Sequence, residues 1–267
     1  MRLPNYVSNI TFYYLSKVIA RIKNLSRIAP LCYALKNKGG RLRGQIICPR
    51  RGDFDKRIYR FIDFRRVLFP GMLGVMLCPA YDANRGAPIC LVSIWGHGLA
   101  YILKPILLNP GEIIVNVAKT PMNYGDSAPL ANFTSGSLLH NLIGKFIRAA
   151  GCSFILIRKD YDQAMIKFKS GEIRTMHTSA IASSGVIGNE NHFIKDYKTA
   201  GAIRHEGLRP RVRPSAMNPV DHPMGGRTRG GAQPVNAKGV ITLNRPTVHE
   251  HHHYIFYTRR QLKFVHH

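Results

Sequence analysis

The sequence predicts an all-β protein made of two small barrels, with a basic helical segment before them and an irregular basic extension after them. Three observations carry this prediction. Short β-type segments follow one another from about residue 39 to residue 117 with no helical span between them. A second set of such segments begins near Pro129, and from Gly207 the chain becomes rich in glycine and proline. Many short strands with turn residues between them are typical of barrels.

The first set consists of six short segments that are each bounded by Gly, Pro, Asn or Asp. They are residues 45–48, 57–64, 73–81, 89–95, 100–103 and 112–117. Since no crossover helix fits between them, they favour a small antiparallel barrel. The second set includes residues 153–159, 164–169 and 173–177. Its last two segments flank Ser170, Gly171 and Glu172, which predict a tight hairpin.

Both ends of the chain have a different character. Apolar residues recur every three or four positions over residues 11–28, which predicts a helix. Residues 1–30 are basic and contain no acid, which fits either a mitochondrial-type presequence or an ordered extension lying on RNA. In residues 207–246, twelve of forty are Gly or Pro, so this segment cannot bury enough surface to fold alone. Its flexible backbone, with Arg209, Arg211, Arg213, Arg227 and Arg229 among its cations, suits an extension that threads between RNA helices.

The charge distribution indicates a polyanionic partner. The formal net charge is +25, which favours nucleic acid or an anionic membrane surface as the partner. Residues 17–66 carry fifteen Lys/Arg and three Asp/Glu, and residues 197–245 carry nine and two. Residues 67–196 carry eleven and eight, so a nearly balanced body lies between two basic flanks.

Other classes of protein find little support. The five cysteines are odd in number and form no CxxC pair, so neither a disulfide framework nor a zinc ribbon is predicted, and a reducing compartment is expected. The longest apolar run, residues 67–80, is too short for a membrane span and is interrupted by Gly and Pro. Residues 249–253 read HEHHH, which matches the zinc-protease pattern HExxH, but only fourteen residues follow it. We expect a solvated tail there and no metal site, although adventitious metal binding stays open.

Two segments are candidates for RNA contact. Residues 50–66 mix cations with aromatic side chains, a combination that binds phosphates and stacks on bases; the alternative is a solvated basic strand pair. Residues 217–226 contain two X-Pro bonds and a glycine pair, which shape the backbone of a loop. Asp221 and His222 in this loop allow acid–base chemistry in principle, but no nucleophile lies nearby in sequence. We therefore expect them to fix the loop and bond to RNA.

Several motifs in order resemble the universal large-subunit ribosomal proteins of the L-two family. They lie at residues 39–41, 56–66, 81–85, 101–105, 170–174, 188–192, 208–213 and 216–223. The last of them, Ala-Met-Asn-Pro-Val-Asp-His-Pro, is the most specific, and the resemblance covers roughly residues 36–240. It implies an OB-type barrel at 36–125, an SH3-like barrel at 126–205 and an rRNA-binding extension at 206–267. A basic leader is expected before them at 1–35.

The resemblance also implies a function. The chain is expected to be a structural constituent of the large ribosomal subunit, bound to its rRNA near the peptidyl-transferase centre. It would support subunit association, tRNA binding and peptide-bond formation. Its expected partners are large-subunit rRNA, neighbouring ribosomal proteins and, through an intersubunit bridge, the small subunit. No membrane, no homo-oligomer and no cofactor are expected, apart from structural Mg²⁺ of the rRNA.

The predicted RNA contacts come from the basic flanks and the 217–226 loop. They are Arg50, Arg51, Lys56, Arg57, Arg60, Arg65, Arg66, Arg204, Arg209, Arg211, Arg213, Met217, Asn218, Pro219, Asp221, His222, Gly225, Gly226, Arg227 and Arg229. No catalytic residue is predicted, because Met224 stands where the family has a second histidine.

Residues 1–35 and 254–267 have no recognised family counterpart. This divergence and the leader predict an organellar and most simply a mitochondrial ribosome, with another organelle or the bacterial cytoplasm as alternatives. Two other functional classes stay open: an enzyme using HEHHH or a histidine, and a free-standing OB-type single-strand binder. Co-sedimentation with large subunits discriminates them from a ribosomal protein.

Overall fold

A computed structural model describes residues 28–35, 40–43, 45–48, 50–52, 55–66, 69–227, 231–244, 254–259 and 261. The helix predicted at 11–28 falls almost entirely outside these residues, and the HEHHH motif entirely so. The chain divides into two compact units. The larger unit comprises Met1–Leu35, Arg57–Lys195 and His253–His267, and the smaller unit comprises Lys36–Lys56 and Asp196–His252.

Fifteen strands and one short α-helix are found in the described residues. The strands are β1 (Cys32–Ala34), β2 (Gly40–Leu42), β3 (Gln45–Cys48), β4 (Ile58–Arg60), β5 (Leu73–Ala80), β6 (Ile89–Ile94), β7 (Gly98–Leu103), β8 (Ile113–Val115), β9 (Ser127–Pro129), β10 (Leu138–His140), β11 (Phe154–Lys159), β12 (Gln163–Phe168), β13 (Ile173–His177), β14 (Ile181–Ser184) and β15 (Ile255–Tyr257). The helix α1 spans Ala200–His205, and four 3₁₀ turns lie at Ala29–Leu31, Leu130–Asn132, Glu190–Ile194 and Pro214–Ala216.

The first part of the larger unit is an antiparallel sheet in the order β7-β6-β5-β8. Its strands read as nearly continuous apolar runs because both faces are buried. One face carries Leu77, Leu91 and Tyr101, and the other carries Met76, Val92 and Ile114, each set within its own core cluster. β1 pairs with β4, and Ile62 forms a parallel bridge to Tyr101. The predicted segment 57–64 is thus a short strand followed by a single bridge.

The second part of the larger unit is a sheet in the order β15-β13-β12-β11-β10-β14-β9, with antiparallel pairing throughout. Its strands alternate, so one face carries the core residues Leu139, Phe154, Leu156, Ala164 and Ile166. The predicted hairpin joins β12 to β13. Gly171 turns it with a φ of 91°, in the left-handed region that glycine adopts without strain.

The smaller unit is built from two stretches that are far apart in sequence. β2 pairs with β3, and the residues after β3 pair with the residues after α1. The amide of Gly52 donates to the carbonyl of Gly207 at 3.0 Å, and the amide of Arg209 donates to the carbonyl of Arg50 at 2.8 Å. These bonds hold the basic segment 50–52 against the start of the C-terminal extension.

The predicted fold class is confirmed: strand is the main regular secondary structure of the described residues, in antiparallel sheets consistent with an OB-type and an SH3-like barrel. The sequence analysis placed residues 36–56 in the same domain as residues 57–125. The structure groups residues of 36–56 with residues of 196–252 in the smaller unit. The predicted boundaries after residues 35, 125 and 205 stay predictions.

Candidate nucleic-acid interface

Four of the predicted arginines converge in the smaller unit, and we call them the arginine cluster: Arg50, Arg51, Arg204 and Arg209. All four are exposed. Gly52 lies among them, because a Cβ built at this glycine would be 2.7 Å from Arg204 Nη1 and 2.8 Å from Arg209 Cγ. Four exposed like charges in one small unit repel one another, and a bound polyanion would neutralise them.

Two carboxylates close to the cluster in sequence are engaged by other residues of the smaller unit. Asp55 Oδ2 lies 3.0 Å from His205 Nδ1 in an exposed ion pair, and Glu206 accepts a hydrogen bond from the Tyr197 hydroxyl. An exposed pair of this kind contributes at most about 1 kcal/mol to stability. The arginine cluster therefore keeps a strong net positive charge for phosphate binding.

The basic character continues along the C-terminal extension. Arg211 and Arg213 are exposed on extended backbone that leads from the arginine cluster to the 3₁₀ turn at Pro214–Ala216. Lys56 and Arg227 are also exposed. Arg229 lies outside the described residues, so its predicted RNA contact stays a prediction.

The 217–226 loop is closed by its own backbone. The amide of Gly226 donates to the carbonyl of Met217 at 2.9 Å, and the carbonyl of Asn218 accepts the amides of Asp221 and His222 at 3.0 and 3.3 Å. A Cβ at Gly225 would lie 2.2 Å from the Asn218 carbonyl oxygen, and Gly226 has a φ of 70°. Both glycines are therefore required by the geometry of the loop.

The polar side chains of the 217–226 loop have different environments. Asn218, Pro219 and Asp221 are exposed, whereas His222 is buried. His222 Nδ1 accepts the amide of Met224 at 3.1 Å, so the ring proton sits on Nε2. The imidazole thus supports the loop from inside, and its predicted bond to RNA stays a prediction.

Met224 joins the 217–226 loop to the turn that follows it. Its sulfur accepts the amide of Val235 at 3.4 Å. Val235 in turn bridges to Ile241, so residues 235–241 form a small hairpin-like turn. A thioether has no ionisable proton, which removes an acid–base group from this position.

Two predicted RNA contacts in the larger unit are corrected by the structure. Arg66 is 2% exposed; its Nε and Nη2 donate to Asn116 Oδ1 at 3.0 and 2.7 Å, and its Nη1 donates to the Gly125 carbonyl at 3.1 Å. Burial lowers the pKa of this guanidinium, against the opposing charge of Asp63. Arg60 is also buried, with Nη1 4.0 Å from Asp82 Oδ1. Both cations are cross-links within the barrel, because the local backbone turns them inward.

Of the neighbouring cations, Arg57 is half-buried and Arg65 is exposed. An aromatic trio of Tyr33, Tyr59 and Phe61 lies on the short β1–β4 sheet and directly after it. Tyr33 on β1 is 5.2 Å from the rings of both Tyr59 and Phe61, measured between centroids. Tyr33 and Phe61 are 45% and 53% exposed. Exposed aromatic rings beside cations form a platform on which nucleic-acid bases stack.

Sequence reasoning missed Tyr33 and two further arginines. Arg148 places its guanidinium 4.5 Å from the Phe64 ring centre, and Arg85 lies over the same ring at 5.2 Å while pairing with Asp82 at 2.6 Å. Arg148 is exposed, so stacking on Phe64 orients a cation that phosphate can reach. Tyr33 could be recognised only once its strand was paired with β4, in the register that places it opposite Tyr59. No pattern in the sequence distinguishes Arg148 from other arginines.

Within the part of the chain that the structure describes, no three His, Cys, Asp or Glu side chains group as metal ligands would. None of the helices in the described ranges combines the length and apolar character of a membrane span.

Two family models match consecutive parts of the chain. Residues 29–116 match the family "Ribosomal Proteins L2, RNA binding N-terminal domain", and residues 123–242 match "Ribosomal Proteins L2, C-terminal domain". The chain is 39% identical over 229 residues to the large ribosomal subunit protein uL2 of Alcanivorax borkumensis, covering 82% of this chain and 83% of that protein. The uL2 proteins of Endomicrobium trichonymphae and Orientia tsutsugamushi are each 37% identical, covering 81% of this chain and 83% of theirs.

Proposed function

The chain belongs to the L2 family of ribosomal proteins, and we propose from this premise that it is a structural constituent of the large ribosomal subunit that binds the subunit's rRNA. One structural observation carries the proposal for this chain. The arginine cluster assembles exposed cations from positions 50–51 and 204–209 into one surface. Such a surface suits the phosphate backbone of folded RNA.

The 217–226 loop supplies shape where the arginine cluster supplies charge. Its backbone ring presents Asn218, Pro219 and Asp221 outward while His222 holds it from within. We assign Asn218, Pro219 and Gly226 to contacts in a narrow rRNA pocket, with Asp221 bonding to a base edge or an arginine instead of phosphate. Gly225 is buried against the Asn218 carbonyl and shapes the loop from within. Met217, which is half-buried, closes the ring from its first position.

The finer parts of the function are also proposals. By the family resemblance, the binding region is the neighbourhood of the peptidyl-transferase centre, and the small subunit is met through an intersubunit bridge. The chain would then support subunit association, tRNA binding and peptide-bond formation without a catalytic residue of its own. Met224 supports the last point, because a thioether neither takes nor gives a proton.

For location we propose a mitochondrial ribosome. The basic, acid-free residues 1–30 support this choice. A bacterial cytoplasm is the alternative, and it fits the bacterial sources of the relatives. Fractionation with matrix and cytosolic markers distinguishes them.

A second candidate is a free-standing single-strand binder. The exposed aromatic trio favours it, since base stacking on such a surface is tolerant of sequence. A free-standing binder would separate from large subunits during gradient sedimentation, and it would bind unstructured RNA as tightly as rRNA.

The test combines sedimentation with the salt dependence of rRNA binding. The first variant changes Arg51, Arg204 and Arg209 to Gln. The control removes the same charge outside the smaller unit, by changing Lys119, Arg158 and Arg259 to Gln. The slope of log affinity against log salt should decrease by about 0.9 for each phosphate that is no longer bound, so the first variant should lower it by roughly 2 or more. Equal slopes in both variants, or a wild-type chain that stays free of large subunits, would refute the proposal.

A further inference from the structure

The outer face of the seven-stranded sheet, opposite the barrel core, carries a row of apolar side chains. The strand registers place Leu138 opposite Ile155, Ile155 opposite Lys167, Lys167 opposite Ile173, and Ile173 opposite Tyr257. We call these five residues the outer row. Directly paired residues on one face have Cβ atoms about 5 Å apart, so the outer row is a continuous strip across five strands.

The outer row is accessible. Leu138, Ile155 and Tyr257 are 47%, 39% and 42% exposed, and Lys167 is exposed as well. Ile157 and Phe256 beside it are 39% and 53% exposed. Isolated exposed apolar residues are ordinary on protein surfaces, but a contiguous exposed apolar strip is typical of an interaction site.

The last part of the strip comes from residues beyond the family match, which ends at residue 242. β15 pairs with β13, and the amide of Thr175 donates to the carbonyl of Tyr254 at 2.8 Å. A shallow depression lined by Met165, Thr175 and Phe256 lies next to the row. The C-terminal strand therefore widens the apolar face of the sheet.

The chemistry of the strip favours a protein over RNA. Aliphatic side chains such as Leu138, Ile155 and Ile173 neither bind phosphate nor provide a flat ring for stacking. The nearby cation Arg158 is already paired with Asp160 at 2.9 Å. Lys167, at the centre of the apolar strip, matches a carboxylate on a partner surface.

A second copy of the chain does not fit as the partner. A twofold contact on the outer row would bring two Lys167 side chains near each other at its centre. It would also bring together two chains that each carry a formal net charge of +25. The partner must instead be a different protein with an apolar surface and an acidic residue.

We propose that the outer row is the docking surface for a neighbouring protein of the large subunit, which packs aliphatic or aromatic residues on the strip and places a carboxylate against Lys167. The inference rests on the proposed ribosomal function and names a surface for one of its partners. β15 makes this contact wider here than the family-matched residues alone would allow.

The first experiment uses intact large subunits that contain the full chain with a photo-cross-linking phenylalanine analogue at Ile155. We expect a cross-link to one large-subunit protein, mapped to a segment with an acidic residue. The same analogue at Tyr161, which is 96% exposed in the β11–β12 turn, is the control and should not give that cross-link. Cross-linking to rRNA, or none at Ile155, would overturn the docking surface while leaving ribosomal membership intact.

The second experiment compares Lys167→Glu and Ile155→Glu with Tyr161→Glu. Both row variants should weaken binding of the cross-linked neighbour to purified subunits at least about tenfold, as expected for an unpaired charge in an apolar contact. The occupancy of this chain itself should stay constant, and its thermal unfolding shows whether Ile155→Glu has damaged the barrel. Normal occupancy of the neighbour with Lys167→Glu, the more conservative change for folding, would contradict the proposal. Absence of the wild-type chain from subunits would instead contradict the proposed function.

Discussion

Arg66 and Arg65 are adjacent arginines that the structure gives opposite tasks. Arg66 is buried and binds Asn116 and the Gly125 carbonyl, whereas Arg65 is exposed. Changing each to Met removes one positive charge and leaves a side chain of similar length. We expect Arg66→Met to destabilise the fold with no effect on the salt dependence of RNA binding. Arg65→Met should leave the stability of the fold nearly unchanged and reduce the salt dependence of RNA binding.

The magnitude for Arg66 follows from its three hydrogen bonds, at 3.0, 2.7 and 3.1 Å. A hydrogen bond to a charged group contributes about 1.5–3 kcal/mol, and a buried acceptor without its donor costs about 1–3 kcal/mol. Part of this is offset, because the variant no longer buries a charged group. A net decrease of about 3 kcal/mol in the free energy of unfolding is expected, against less than about 0.5 kcal/mol for the exposed Arg65.

The assay is urea unfolding of the purified full-length chain followed by far-ultraviolet circular dichroism. Trp95 is 77% exposed and reports poorly on the core. Binding of rRNA is then measured at several salt concentrations under conditions where both variants are folded. For Arg65→Met the slope should fall by up to about 0.9. If Arg66→Met unfolds at the wild-type urea concentration, or lowers the slope as Arg65→Met does, the internal role of Arg66 is wrong.

Three further outcomes are expected. Burial lowers the pKa of His140 from 6.5 to about 4, while its Nδ1–H donates to the Gly185 carbonyl at 2.8 Å. As the pH falls, the unfolded chain therefore binds this proton before the folded chain does. The free energy of unfolding should decrease by about 3 kcal/mol in total between about pH 6.5 and pH 4. The variant His140→Asn should show a smaller decrease over the same pH range. Gly225→Ala should disrupt the loop and weaken rRNA binding, with Gly201→Ala, where an added Cβ meets nothing within 4 Å, as the control. Met224→His should change single-turnover peptidyl transfer far less than the ~100-fold that a positioned acid or base supplies, and a large rate gain would contradict that view.

Most of the sheet structure was predictable because it depends on local pattern. The hairpin at Gly171 and the strand 173–177 were predicted as found, since alternation and turn residues act over a few positions. The short strands β9, β10 and β14 were not predicted. Each has only three or four residues, too few for alternation to be recognised, and pairing with their neighbours makes them strands.

The candidate interface was predictable in its charge but not in its geometry. The basic flanks of the sequence contain every arginine of the cluster, yet only the pairing of residues 50–52 with 207–209 brings them together. Arg66 was misassigned for the same reason. A cation in a basic segment is usually solvent-facing, and the partners that turn this one inward, Asn116 and Gly125, are about 50 and 60 residues away. Long-range contacts of this kind leave no periodic signal in the sequence.

The pairing that closes the smaller unit also sets an order of events during synthesis. The amide of Gly52 donates to the carbonyl of Gly207, and about 150 residues separate the two glycines in the sequence. At roughly 5–20 residues per second, the first half of the arginine cluster emerges some 10–30 s before the second. Closure of so long a loop also carries an entropy cost that must be met before the contact forms. The barrels of the larger unit, whose strands pair mainly with near neighbours, have that interval in which to fold. RNA binding that needs both halves of the arginine cluster therefore has to wait until residue 209 has been synthesised.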